Sequence, residues 1–358
     1  MTEEDLRQQR LHNLGLSTAP YATPEAVVAA LGAVQAQDYP AAAWALGLRM
    51  GAATAATIDA ALAAGAILRT HVLRPTWHFV APADIRWMLA LTGPRVQAAI
   101  AGPSRRLGLD AAMIAAANTA LADALQGSHA LTRAELTAVL ARAGIAATEP
   151  LRNAHLLMHA ELEGLICSGP RQGKQMTYAL LDERVPPTRP LTRDEALAAL
   201  TRRYFTSHGP ATIPDFVWWS GLTGADARAG LALVGDALTS EEIDGRTYWF
   251  APGAPPTPMP TPTAHLLPNY DEYIVAYTDR RAVHDAAAHD LDARGNILFS
   301  HTIVLDGRVV GTWKRTLRRA AVVLETTLLA PLAPAATAAV AAATARYGAF
   351  LGLAVEPA

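Results

Sequence analysis

Two glutamines separated by one alanine, Gln35-Ala36-Gln37, form the polar motif whose spacing most directly suggests chemistry in this sequence. They stand between an apolar run and Asp38-Tyr39-Pro40. Residues i and i+2 project from the same face of an extended segment but not of a helix, and Pro40 disfavours helical geometry at Tyr39. An extended segment would project two carboxamides into one cavity. From the spacing alone, however, a pair of surface or capping amides is the favoured interpretation.

Carboxamides do not titrate near neutral pH, so this pair cannot act as a general base. It can hold a water molecule, and its carbonyl oxygens can face developing positive charge. Asp38 is adjacent, but in an extended segment its side chain should point away from both amides. The motif therefore suits orientation and electrostatic stabilisation rather than proton transfer.

Other catalytic patterns are absent from the sequence. It has no glycine-rich phosphate loop and no Gly-x-Ser-x-Gly turn. Cys167 is the one cysteine, which excludes an internal disulfide, and it falls inside a predicted strand, which disfavours a thiol nucleophile. His155 and His159 lie four apart on a predicted helix, with Glu161 nearby, and that spacing can hold zinc. Because no third ligand is obvious, we expect a polar or DNA-facing helix edge, no metal and no cofactor.

The charge distribution is more informative than the net charge of −2, which comes from 30 basic and 32 acidic residues. Six arginines but one acid, Asp84, lie between Leu68 and Arg106. Five basic residues but one acid, Asp306, lie between His301 and Ala320. A protein that is not basic as a whole can still have a basic face. We expect both stretches to contact phosphates, with two solvated faces as the alternative.

The composition indicates an Ala-rich globular protein of two or three packing units, since the chain has 358 residues and 51% of them are hydrophobic. Alanine favours helices with small contacts between them. No apolar run is long enough to span a membrane. Met1–Arg10 is charged and lacks the core of a signal peptide, so we expect a cytoplasmic protein.

The same order of elements is predicted three times: helices, a helix-turn-helix pair and a hairpin. In the first repeat, Thr23-Pro24-Glu25 has the pattern of a helix start, and a helix over Thr57–Ala64 is followed by a glycine. Leu68–Val72 and Thr76–Val80 are expected to form a wing hairpin that turns at Leu73-Arg74-Pro75.

The second and third repeats show the pattern more clearly. In the second, Thr132 and Glu135 have the spacing of a capping box, and Asp244-Gly245 is the turn of the third hairpin. The predicted second-repeat elements are the helices Ala111–Leu125, Arg133–Ala143 and Leu151–Glu163 and the strands Leu165–Cys167 and Met176–Leu180. Those of the third repeat are the helices Thr192–His208, Ile213–Ser220 and Ala225–Leu238 and the hairpin Thr239–Phe250.

A proline-rich linker, Ala251–Pro262, precedes a mixed C-terminal block. The elements predicted there are the strands Ile303–Leu305, Val309–Trp313 and Ala321–Leu328 and the helix Ala333–Gly348. The fold class is therefore α+β, with predicted domains at residues 1–108, 109–186, 187–255 and 256–358. Repeated helix-turn-helix units usually hold DNA, although they also serve as protein-packing modules.

Four segments in order resemble the AlkZ/YcaQ family of bacterial winged-helix DNA glycosylases. They are Gln35-Ala36-Gln37, the hairpin Leu68–Val80, the segment His265–Arg280 and the segment Val309–Arg315. The likeness runs over nearly the whole chain, and four motifs in order are specific where each alone is weak. A glutamine at the second motif position, where the YcaQ branch has aspartate, makes the chain similar to the AlkZ branch.

The resemblance implies three tandem winged helix-turn-helix units forming a concave DNA-binding face, with Gln35 and Gln37 as the catalytic residues. It implies a monofunctional glycosylase that releases bulky N7-alkylated guanines and unhooks interstrand crosslinks made by genotoxic natural products, in repair or in self-resistance. The expected partner is double-stranded DNA carrying alkylated bases or crosslinks. We expect a monomer in the cytoplasm, associated with the nucleoid.

Two amides can suffice for such a substrate, because an N7-alkylated guanine is cationic and leaves as a neutral base without being protonated. The transition state resembles an oxocarbenium ion, and water completes the reaction. A crosslink spans both strands, so an open cleft suits it better than a deep pocket for an extruded base.

The expected DNA contacts are basic side chains of the wings and of the two basic stretches: Arg69, Arg74, His78, Arg105, Arg106, Arg171, Lys174, Lys314 and Arg315. Trp77 is expected in the core, and Asp271 and Tyr273 either border the cleft or order a loop. Two other classes of function remain open. A transcription regulator would bind a specific sequence and release no base, and a drug-sequestering resistance protein would ignore DNA.

Overall fold

Residues 1–253, 259–284 and 297–357 are described by a computed structural model of the chain. The first part contains α1 (Glu3–Asn13), α2 (Pro24–Leu31), β1 (Ala33–Gln35), α3 (Tyr39–Leu48), α4 (Ala55–Ala64), β2 (Leu68–His71), β3 (Trp77–Val80) and α5 (Pro82–Arg106). The second contains α6 (Ala111–Leu125), β4 (Leu131–Thr132), α7 (Arg133–Arg142), α8 (Pro150–Leu162), β5 (Ile166–Ser168), β6 (Thr177–Leu180) and α9 (Leu181–Arg184).

The third part contains α10 (Arg193–Ser207), α11 (Ile213–Ser220), α12 (Gly224–Val234), β7 (Thr239–Ile243) and β8 (Arg246–Phe250). The C-terminal block contains β9 (Ala264–Leu267), α13 (Glu272–Val275), β10 (Thr302–Leu305), β11 (Arg308–Leu317), β12 (Ala321–Leu328), α14 (Pro334–Leu351) and β13 (Ala354–Pro357). The predicted α+β class is confirmed. The predicted linker falls partly outside the described residues.

The predicted threefold repetition of elements is present in the fold. The first repeat (residues 24–80) and the second (111–180) both run helix, strand, helix, helix, strand, strand, and their sheets have the equivalent orders β1-β3-β2 and β4-β6-β5. In the third repeat (193–250), β7 and β8 pair, and a single bridge from Ala211 to Trp249 takes the place of the first strand.

Side-chain caps fix most helix starts, which is why the sequence predicted them well. Thr132 and Glu135 form the predicted capping box of α7, and Thr23 caps α2, which has Pro24 in its first turn. Such caps satisfy backbone N–H groups that have no partner inside the helix. The predicted turn at Asp244 and Gly245 is also confirmed, with φ values of 49° and 72° that suit a tight hairpin.

Helix α5 has no counterpart among the predicted elements. It runs for 25 residues although Pro94 and Pro103 lie inside it, and interior prolines normally end or kink a helix. Its buried face, which includes Ile85 and Met88, packs against α8 of the second repeat and α10 of the third. Tertiary packing therefore outweighs the two prolines.

The buried apolar residues form two main clusters rather than one for each predicted domain. The first repeat, the third repeat and the C-terminal block share one cluster, to which Phe79, Trp219 and Trp313 belong. The second repeat has a separate cluster that includes Leu121 and Leu156. The division into four domains stays a prediction. The core of the first repeat is shared with the third repeat and the C-terminal block.

The C-terminal block is a five-stranded sheet in the order β13-β12-β11-β10-β9, parallel between β12 and β13 and antiparallel elsewhere. Helix α14 packs on it and also reaches α3, because Tyr347 and Phe350 contact the Trp44 ring with centroids 5.0 Å apart. The block is thereby anchored next to the glutamine motif. None of the described helices combines the length and the apolar character needed to cross a membrane.

Candidate active site

The glutamine motif lies at the end of β1, as the predicted extended segment requires. Gln35 pairs with His78 of β3, and the Ala36 N–H donates to the Trp77 carbonyl at 2.7 Å. The prediction for Tyr39 was wrong, because α3 begins there. Pro40 sits in the first turn of α3, where a missing N–H loses no helix hydrogen bond. Pairing with β3 therefore keeps the motif extended.

The two glutamines have different surroundings. Gln35 is only 7% exposed, whereas Gln37 is exposed. The Gln35 Oε1 accepts a hydrogen bond from the Arg74 guanidinium at 2.8 Å. The Gln37 Oε1 accepts one from the Trp77 backbone N–H at 3.3 Å. Both carbonyl oxygens thus already have donors from the first hairpin, instead of being free to face a substrate.

Arg74 connects Gln35 to the end of α11 in the third repeat. Its guanidinium also donates to the carbonyls of Trp218 at 3.2 Å and Trp219 at 2.9 Å. These carbonyls belong to the last turn of α11, where backbone acceptors have no partner within the helix and attract a cation. The next residue, Gly221, has φ +69°, and a Cβ there would lie 2.2 Å from the Leu73 carbonyl oxygen. The hairpin and the helix end therefore fit closely around Arg74.

Glu272 supports Gln35 from the opposite side. Its fully buried carboxylate accepts the Gln35 backbone N–H at 3.0 Å and the Trp219 indole N–H at 2.9 Å. It also lies 3.3 Å from His208 Nε2. The sequence analysis assigned Glu272 no role. A charged residue within the apolar part of the segment His265–Arg280 was the feature that could have indicated one.

Asp271 orders the loop next to Glu272 instead of bordering a cleft. Both of its carboxylate oxygens accept from Arg49, at 2.8 and 2.9 Å, and both side chains are fully buried. Arg49 also donates to the Leu14 carbonyl at 2.8 Å. Tyr273 is fully buried too, and its hydroxyl donates to the Gly307 carbonyl at 2.8 Å. Neither residue is at the surface, so the cleft-border alternative was wrong.

Arg69 and His78 of the first hairpin are both buried next to the glutamine motif. The Arg69 Nε donates to the Ala36 carbonyl at 2.9 Å, and its guanidinium carbon lies 4.3 Å from the centre of the Trp77 ring. His78 has no exposed surface, and burial lowers its pKa well below its ordinary value. The predicted contact of His78 with DNA was therefore wrong: its neutral ring lies inside, with Nδ1 2.9 Å from the Thr76 carbonyl oxygen.

A second polar network joins the hairpin to α8. His71 Nδ1 lies 2.5 Å from one oxygen of the buried Glu161 carboxylate, and the half-buried Trp77 donates its indole N–H to the other at 3.3 Å. Trp77 was expected in the core, so it is less buried than predicted. This network fixes the outer end of the hairpin, next to Gln37.

His155 and His159 were predicted to form a polar or DNA-facing helix edge, but both rings are enclosed and face Ser104 instead of solvent. Both are 7% exposed and lie 2.9 and 3.0 Å from the Ser104 hydroxyl of α5. Burial lowers the pKa of both rings. Within residues 1–253, 259–284 and 297–357, no three His, Cys, Asp or Glu side chains are grouped closely enough to hold a metal ion.

The remaining predicted DNA contacts fall into two groups. Four are exposed and have no ion pair within the described part of the chain: Arg105, Arg106, Lys174 and Lys314. Arg171 instead pairs with Asp59 at 2.7 Å, and Arg315 contacts the Tyr347 hydroxyl. Lys314 and Arg315 are successive residues of β11, so they point to opposite faces of the sheet and do not form one phosphate site.

Comparison with known proteins identifies the family to which the chain is similar. The family model of AlkZ-like DNA glycosylases matches residues 28–350. An interstrand DNA cross-link repair glycosylase of Streptomyces sahachiroi is 27% identical over 306 residues, which are 80% of this chain and 81% of that protein. The solved structure of the Streptomyces sahachiroi DNA glycosylase AlkZ has the same fold, with a TM-score of 0.78 and 24% identity over 100% of both chains.

The matched region includes both glutamines and the segments that surround them, from the first hairpin to β11. The resemblance stated from the four sequence motifs is thereby confirmed. The chain belongs to the AlkZ-like family of DNA glycosylases.

Proposed function

We propose that this DNA glycosylase hydrolyses the N-glycosidic bond of cationic alkylated purines, N7-alkylguanine above all, with Gln35 and Gln37 as the catalytic residues. One observation carries the proposal: the groups around the motif that could move a proton are already engaged. Asp38 caps α3 by accepting the Ala41 N–H at 3.2 Å. Glu272 is fully buried among its donors, as described above.

A cationic purine needs no acid, because the electron pair of the C1′–N9 bond neutralises the charge already on the ring. Water then adds to C1′ and releases its proton to solvent. The protein has to orient the water and the base and to stabilise the redistributed charge, which uncharged amides can do. Uracil or hypoxanthine would leave as an anion or require protonation, so we expect both to be poor substrates.

Crosslinked DNA is the second part of the proposal. The relative in Streptomyces sahachiroi is named an interstrand DNA cross-link repair glycosylase. A crosslink ties two strands together, so its base cannot be withdrawn into a deep pocket. The exposure of Gln37 supports a site that such a substrate reaches without full extrusion. The biological setting would be DNA repair or self-resistance to a genotoxin.

For binding, we propose that the three repeats are winged-helix units whose concave face holds duplex DNA, and that the protein acts as a monomer at the nucleoid. The exposed cations Arg105, Arg106, Lys174 and Lys314 are suited to phosphates. Arg69 and Arg74 would act near the scissile bond, mainly through Ala36 and Gln35, which they hold.

The test is to incubate the purified protein with a duplex containing N7-methylguanine, a crosslinked duplex and a duplex containing uracil, and to measure abasic sites. We expect release from the first two and none from the third. Efficient uracil excision would show that an acid takes part. Tight binding to one operator-like sequence without base release would instead indicate a transcription regulator.

A further inference from the structure

The orientation of both carboxamides is fixed by partners that can only donate. A guanidinium and a backbone N–H have no lone pair to offer, so the atom that faces each must be the amide oxygen. For Gln35 this donor is Arg74, and for Gln37 it is the Trp77 N–H. Each amide NH2 group is therefore the end that does not face these donors. The Gln35 NH2 has no hydrogen-bond partner among the described residues, and the side chain keeps some access to solvent at 7% exposure.

This orientation opposes the idea that the Gln35 oxygen stabilises a cationic sugar. An oxygen 2.8 Å from a guanidinium already faces a full positive charge, and a second cation brought to the same oxygen would be repelled by the first. The end of Gln35 that remains free is a hydrogen-bond donor, and donors stabilise atoms that gain electron density.

We infer that Gln35 donates a hydrogen bond to an acceptor atom of the departing purine, and that Arg74 is the positioning residue that holds it in the donating orientation. The inference rests on the proposed function. When the C1′–N9 bond breaks, its electron pair passes to N9, and the purine changes from a cation to a neutral base. The acceptor atoms on its edge gain electron density in that step, so a donor N–H binds the leaving group more tightly in the transition state than in the ground state.

Arg74 is rigid enough for this task. Its guanidinium makes three hydrogen bonds, one to Gln35 and two to the carbonyls of Trp218 and Trp219 in the last turn of α11. Lysine has a single ammonium point charge and cannot reproduce a planar fork of donors. Arg95 offers a matched control, because its Nε donates to the Gly221 carbonyl at the same helix end at 2.6 Å. No hydrogen bond joins Arg95 to Gln35 within the described residues.

The first experiment compares Gln35→Glu with Gln35→Met in single-turnover release of N7-methylguanine. Glutamate keeps an acceptor for Arg74 but has no donor, and methionine has neither. We expect both variants to lose at least tenfold in rate with nearly unchanged DNA affinity. Glutamate activity near that of the wild type, with methionine inactive, would overturn the donor role while leaving Gln35 catalytic. Full activity in both variants would instead remove Gln35 from the proposed mechanism.

The second experiment compares Arg74→Lys and Arg74→Met with Arg95→Met in steady-state release of the same base, with thermal unfolding measured for each. We expect both Arg74 variants to lower kcat several-fold while KM stays nearly constant, and Arg95→Met to retain wild-type kcat. An unchanged kcat in Arg74→Met, or an equal loss in Arg95→Met, would contradict positioning by Arg74. If Arg74→Met does not fold, the comparison of Arg74→Lys with Arg95→Met decides.

Discussion

The first and second repeats share one topology but not one chemistry. Across the middle of each sheet, three residues lie side by side on neighbouring strands. In the first repeat they are Gln35, His78 and Thr70, and in the second they are Leu131, Tyr178 and Ser168. The buried Gln35 of one repeat, which we propose is catalytic, thus takes the place of a leucine in the other. The strand order positions this row, and the side chains alone decide what it does.

The connection that follows the first strand also differs. Thr132 ends β4 and caps α7 directly, whereas Gln37 and Asp38 extend the corresponding connection before α3 begins. Gln37 therefore has no counterpart in the second repeat. This two-residue extension of the connection contains the second amide, Gln37, and places it at the surface.

The two repeats are also covered differently. The second closes around its own apolar cluster, while the first is covered by the third repeat and the C-terminal block. These distant parts bring Glu272, Trp219 and the end of α11 to Gln35. The comparison shows that the site belongs to the interface between repeats rather than to any one of them.

The largest expected effect tests whether the first repeat depends on the C-terminal block that packs against it. Asp271→Ala should lower the free energy of unfolding by about 3–5 kcal/mol, because it leaves Arg49 buried without its partner. Asp59→Ala, which removes the partner of the part-exposed Arg171, should cost about 0–1 kcal/mol. Urea unfolding of both variants measures the difference. Equal losses would show that the buried pair does not anchor the first repeat.

The next effect tests the extended connection. Gln37→Ala should slow base release at least tenfold, about 1.4 kcal/mol in the barrier. Thr132→Ala, in the shorter connection of the second repeat, should cost about 1 kcal/mol of stability through its lost cap but leave the rate unchanged. Single-turnover assays and unfolding curves of both variants check this. A Gln37 variant as fast as the wild type would leave the catalytic step to Gln35.

The third prediction concerns pH, because the first repeat has a histidine where the second has Tyr178. The pKa of His78 is lower in the folded protein than its ordinary 6.5. The contribution of neutral His78 to the free energy of unfolding should therefore be fully present above pH 6.5 and be lost as the pH falls below that value. His78→Asn should make this fall shallower, by at most about 1.4 kcal/mol per pH unit. Urea unfolding between neutral and mildly acid pH measures the slope. An identical slope in wild type and variant would show that His78 does not contribute.

The smallest effect concerns DNA contacts outside the site. Replacing Arg105 and Arg106 with glutamine should weaken binding to undamaged duplex and reduce the slope of log K against log salt by about 0.9 for each lost phosphate contact. Arg171→Gln should change the slope less, because Arg171 already pairs with Asp59. Titrations at several salt concentrations test this. A larger effect at Arg171 would place the DNA nearer to the tip of the second hairpin.

The sequence alone determined the local elements of this protein, because their hydrogen bonds join residues close together in the chain. The capping box of Thr132 and Glu135 and the turn at Asp244 and Gly245 were predicted correctly for that reason. Four ordered motifs also identified the family. Helix α5 was missed because the packing that maintains it past Pro94 and Pro103 lies in other repeats.

Only the tertiary structure decided which polar groups are buried and which partners they meet. Glu272 reaches Gln35 across 237 positions of sequence, and Arg74 meets Trp219 across 145. His78 and His159 read as accessible imidazoles in the sequence, yet both are enclosed. Burial changes the pKa of a histidine, and a fixed donor sets the orientation of an amide. Both depend on atoms that come close only when distant segments pack together.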